Sequence, residues 1–126
     1  MRLLLAAVLL AHGIAHVVGF VVPWKIIVSP EVPYRTTILS VDVGPAGVRL
    51  IGIAWLAAAF LFAALAASVL RNGAWWYEEA FVLVAFSIAL CLLGLPESRP
   101  GFLANLIVVA LLMLSRFAGP YAHMHP

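Results

Sequence analysis

Residues 3–22 read LLLAAVLLAHGIAHVVGFVV, twenty positions with no Lys, Arg, Asp or Glu. A helix rises about 1.5 Å per residue, so about 20 apolar residues cross the bilayer hydrocarbon. Three more runs follow, at residues 48–70, 75–95 and 102–117. None alternates with period two, so they read as helices and not as strands of a barrel. Composition agrees: the 126 residues are 66% hydrophobic and 10% charged, against roughly 25% charged in soluble domains. The chain is therefore expected to be all-α: one domain, 1–126, forming a transmembrane four-helix bundle. Met1-Arg2 and the apolar run have the start of a secretory signal, but the run outlasts a signal core and is read as a retained helix.

The connections set the order of the helices. Arg71-Asn72-Gly73-Ala74 and Pro96 to Gly101 are short, so the second, third and fourth helices should be antiparallel neighbours. Gly73 is the expected helix stop. Trp75, Trp76 and Tyr77 form an aromatic anchor on the face holding both termini, with Trp24 and Tyr34 near the other. The first connection, residues 23–47, is long and holds Pro23, Pro30, Pro33 and Pro45. Its β-branched stretches Trp24–Ser29 and Tyr34–Val41, split by Pro30–Pro33, predict a hairpin-like flap over one mouth of the bundle.

Charge narrows the function classes. The seven Lys and Arg stand singly, so no nucleic-acid surface is expected. Arg2, Arg71 and Arg116 on the terminal face nearly balance Lys25, Arg35, Arg49 and Arg99 on the flap face. Arg35 lies farther from a helix end, which tips the termini toward the cytoplasm. Cys91 is the one cysteine, inside an apolar run, and reads as a buried small side chain.

Polar groups inside apolar helices mark candidate sites. His12 and His16 are four apart on one helix face, and Gly19 continues that stripe. Facing the bundle, the pair could join helices, relay protons or hold a metal. No third ligand sits at metal spacing, and two imidazoles approaching from one side cannot supply both axial ligands of a haem, so no metal or cofactor is expected. Arg49 opens the second helix on a stripe with Gly52, Leu56, Ala59 and Ala63, and Asp42 lies seven residues upstream. The expected catalytic set is His12, His16, Asp42 and Arg49, with Asp42 and Arg49 pairing across the mouth. Tyr34, Trp55 and Asn105 are the expected substrate contacts. Glu79 and Arg116 are expected to pair on the terminal face, and His123 and His125 read as a solvated tail.

The segment His12-Gly13-Ile14-Ala15-His16-Val17-Val18-Gly19-Phe20 resembles the first helix of a family of small bacterial four-helix membrane proteins that open HGxxHxxGF. Gly47-Val48-Arg49 leading to Trp55-Leu56-Ala57-Ala58, Trp75-Trp76, and Gly101-Phe102-Leu103-Ala104-Asn105-Leu106 are similar to other parts of that family. The resemblance implies a fold and a bacterial cytoplasmic membrane, and no activity. Ala11-His12-Gly13 and the four-helix plan are also faintly similar to DoxX-like proteins, linked to quinone or thiol redox membranes. Small multidrug transporters share the size but carry a carboxylate inside their first helix, where this chain has histidines. The reading of the residues is a bundle whose mouth takes a lipophilic small molecule, with cofactor-free acid–base chemistry as its reaction class. An accessory subunit of a membrane complex and a proton-coupled transporter are the alternatives. The bilayer, and a second copy or a complex partner, complete the expected partners.

Overall fold

The computed structural model describes residues 1–118, and the His123 and His125 tail lies outside them. Helices α1 (Arg2–His16) and α2 (Val18–Val21) form the first span, interrupted at Val17. Strands β1 (Thr37–Ile38) and β2 (Val41–Asp42) follow. Helices α3 (Gly44–Arg71), α4 (Trp76–Leu93) and α5 (Arg99–Ala118) complete the chain. The four spans are long and apolar enough to cross a membrane, so the chain is an integral membrane protein in contact with lipid.

The spans pack in chain order, each against the next, and α5 closes the ring against α1. Burial follows a step of four and three residues. On the first span Leu5, Leu9, His12 and His16 face inward; on α3 the stripe is Val48, Gly52, Ala59, Phe62, Ala66 and Val69, with half-buried Trp55 between. That spacing gives each helix one seam for its neighbours. Close approach of α1 and α3 depends on Gly13, where a Cβ would lie 2.8 Å from the Phe62 Cβ and 3.0 Å from the Ala59 oxygen. The half of the bundle nearer the termini is filled by Leu5, Leu9, Phe62, Leu65, Val69, Trp76, Leu83 and Leu112.

The flap departs from expectation. Its hairpin pairs Thr37 with Asp42 and Ile38 with Val41, not the two stretches flanking Pro30–Pro33. The turn residues Leu39 and Ser40 have φ of 47° and 68°. Two successive positive φ values are the geometry of a tight hairpin turn, which usually takes Asn and Gly. At the flap tip the Ser29 hydroxyl donates to the Glu31 carboxylate at 2.8 Å and holds its pKa below the ordinary value. The flap ends early, because α3 starts at Gly44 with Pro45 in its first turn. At the other end of α3 the left-handed residue is Asn72, φ 56°, in place of Gly73. Trp75 stays exposed as an interface anchor, but Trp76 turns inward and joins the core.

Candidate functional site

One polar network lies inside the flap-side half of the bundle. His12, His16, Ser87 and Asn105 are all buried, on α1, α4 and α5. Each occupies an inward position of its own helix, so the packing seam brings them to one level. The hydrogen-bond directions can be worked out from the carbonyls. His16 Nδ1 is 2.8 Å from the His12 carbonyl oxygen and must donate to it. In a neutral ring that leaves Nε2 as acceptor, so the Ser87 hydroxyl, 2.8 Å away, donates to it. His12 Nε2 lies 3.1 Å from the Asn105 Oδ1 and 3.3 Å from the Ser87 Oγ, and donates toward both. The Asn105 amide then donates to the Gly101 carbonyl at 3.1 Å and the Cys91 Sγ at 3.6 Å. One atom is left over: His12 Nδ1 is buried with no partner among the described residues.

Aromatic rings wall the network. Phe62 meets His12 and His16 at centroid distances of 4.8 and 5.1 Å, and closes the side toward the termini. Trp55 lies 5.1 Å from His16 on the flap side. A Cβ at Gly19 would overlap its indole, so the ring is seated directly against the first-span backbone.

Above the imidazoles is a cavity of about 290 Å³, near the lower end of ligand pockets at about 300–1,000 Å³. His12 and His16 form its floor, and Val18, Val48, Ile51, Trp55 and Leu95 are among its walls. Residues 32–35 with Thr37 and Ile38 of the flap roof it. Arg35 on the flap pairs with Glu97 on the α4–α5 turn, the one ion pair among the described residues, and so ties roof to wall. The same turn holds the cis Leu95–Pro96 peptide, and the Ser98 hydroxyl donates to the Cys91 carbonyl.

The structure gathers part of the sequence-predicted set. His12, His16, Trp55 and Tyr34 border the cavity, and Asn105 holds His12 from below. Tyr34 is exposed at the mouth, with the Lys25 ammonium 4.6 Å from its ring centre. Asp42 and Arg49 stand apart: both are exposed, neither borders the cavity, and they form no ion pair. Asp42 instead accepts the Gly44 N–H at 3.0 Å and helps start α3. Arg49 lies one residue, or about 100°, from the inward Val48. Its guanidinium sits 5.7 Å from the Trp24 ring centre, and the Trp24 indole donates to its carbonyl at 3.1 Å. At 28 residues α3 outlasts the hydrocarbon, so its first turn reaches the headgroup region, where Arg is readily solvated. Glu79 and Arg116 are likewise exposed and unpaired with each other.

Ser87 and the Arg35–Glu97 pair were absent from the predicted site. Ser87 is the one Ser or Thr of α4, which was a signal. The ion pair joins two connections 62 residues apart and carries no local sequence signal. No family model matches the chain, and no curated protein or solved structure shows significant similarity to it.

Proposed function

We propose that the chain binds a lipophilic small molecule in the flap-side cavity. The observation that carries this reading is a mostly apolar cavity that ends on two buried imidazoles under a tethered roof. Apolar walls with a few converging polar groups suit a greasy molecule with one polar point. The imidazoles serve as a fixed polar floor. Both nitrogens of His16 are engaged, and the free His12 Nδ1 is shielded from the cavity. Binding, with no proton transfer, is thus the better match. The dry packing of Phe62, Val69 and Leu112 toward the termini supports a site with one mouth over a transport path.

Native mass spectrometry of the detergent-purified protein tests the reading. A defined lipophile should co-purify with the native chain. It should be lost from Ile51→Trp, in which a larger ring fills the wall without disturbing the network. A lipophile retained unchanged in the filled variant, or none with the native chain, overturns the proposal. A second reading draws on the same network: it joins α1, α4 and α5 as an interhelical tie in an accessory subunit. On that reading His16→Ala lowers stability, and no lipophile accompanies the native chain.

A further inference from the structure

The groups around the cavity narrow the guest beyond lipophilicity, and this step rests on the binding reading above. Apart from the histidines, Arg35 and Glu97 are the charged residues bordering the cavity, and they neutralise each other. A charged guest would have to break that pair or stay uncompensated among apolar walls, which is costly. A neutral guest avoids both costs.

Its polar point follows from which donors are free. The Trp24 indole is taken by the Arg49 carbonyl, and the Ser98 hydroxyl by the Cys91 carbonyl. His16 is saturated by Ser87 and the His12 carbonyl. The Tyr34 and Thr37 hydroxyls also border the cavity, but both residues are exposed at its mouth, where water serves them. Trp55 differs: it is half-buried, its ring borders the cavity, and its Nε1–H makes no hydrogen bond to a described residue. An indole nitrogen can only donate. Within a bilayer a donor without a partner is unfavourable, because no bulk water replaces it. The seat against Gly19 holds this donor in place on the wall. We propose that the cavity selects a neutral lipophile carrying a carbonyl or ether oxygen, and that the Trp55 N–H is the group that recognises that oxygen.

Three probes of similar shape test this: benzophenone, its methylene analogue diphenylmethane, and the anion diphenylacetate. Each is titrated into the protein in micelles with ¹⁵N-labelled indoles, and the four tryptophans give separable N–H signals. Benzophenone should bind about three- to tenfold more tightly than diphenylmethane, the range for one net hydrogen bond. It should shift the indole signal that is missing in Trp55→Phe, and diphenylacetate should bind most weakly. Trp55→Phe keeps an aromatic wall but no donor, so the ratio of ketone to hydrocarbon affinity should fall to about one, whatever happens to the two affinities together. Equal binding of ketone and hydrocarbon by the native protein, or an unchanged preference in Trp55→Phe, overturns recognition by Trp55. Tighter binding of diphenylacetate overturns neutrality. Failure of all three to bind overturns this proposal, while the co-purification experiment decides the pocket reading separately.

Discussion

The two halves of the bundle use the same helices and the same seams for different ends. Toward the termini, the inward positions hold Leu5, Leu9, Val69, Leu83 and Leu112, and the interior is closed. Toward the flap, the same seams carry His12, His16, Ser87 and Asn105, and the interior opens into a cavity. Lipid tails are as apolar as leucine, so burying Leu112 gains packing and little else. Burying a histidine in that solvent is tolerable only with partners supplied by other helices. The half toward the termini relies on shape and leaves the buried Tyr77 hydroxyl without a partner among the described residues, whereas the flap-side half needs the correct atoms opposite one another. Phe62 divides them, with both imidazoles against its ring.

Removing that divider should give the largest effect. Phe62→Ala deletes a fully buried ring and is expected to cost about 3–5 kcal/mol, read from reversible unfolding in mixed micelles. It should also loosen the histidines, so the lipophile is lost together with stability. A loss of stability with the lipophile retained would show that the halves are independent. Ser87→Ala comes next. It removes the hydroxyl between the rings and leaves His16 Nε2 without its donor, at an expected cost of about 1–3 kcal/mol. The histidine ring ¹⁵N shifts should change in this variant and stay fixed in Leu112→Ala, which thins the half toward the termini only. Unchanged shifts in Ser87→Ala would contradict the assigned directions.

This contrast explains what the sequence disclosed. The spans were legible because long apolar runs with charge confined to their ends have few other uses. His12 and His16 were legible because histidine stands out against leucine, and their four-residue spacing fixes a face. The phase of α3 was not legible. In lipid both faces of a helix are apolar, so nothing marked Val48 and not Arg49 as inward. Arg49 was read as inward from its stripe with Gly52, Leu56, Ala59 and Ala63, but the length of α3 places its charge among headgroups. Ser87 was visible as a polar residue in a costly place. Its partners were hidden, since the level at which α4 meets α1 depends on loops of irregular shape. The hairpin was misplaced for a local reason: Leu39-Ser40 lacks the Asn or Gly that usually marks such a turn, whereas the paired prolines at 30 and 33 drew the turn upstream.

The smallest expected effect is at the roof, where the flap-side half meets water. Arg35 and Glu97 retain 47% and 18% side-chain exposure, so their pairing is screened by solvent and salt. Such pairs contribute about 0–1 kcal/mol, and Glu97→Gln should leave global unfolding within that range. Its consequence is local, because the pair joins the flap to the α4–α5 turn across the cavity. Amide hydrogen exchange over residues 32–43 should rise severalfold in Glu97→Gln while exchange in α1 and α3 stays as it was. Raising the salt concentration to about 1 M, where the screening length falls to about 3 Å, should speed flap exchange in the native protein. Salt should add little in the variant, which has no pair left to screen. Equal salt sensitivity in both would mean that the roof is held by its apolar contacts with the cavity walls. The distinction between a salt-dependent and a salt-independent roof then separates a mouth tethered by charge from one closed by the guest beneath it.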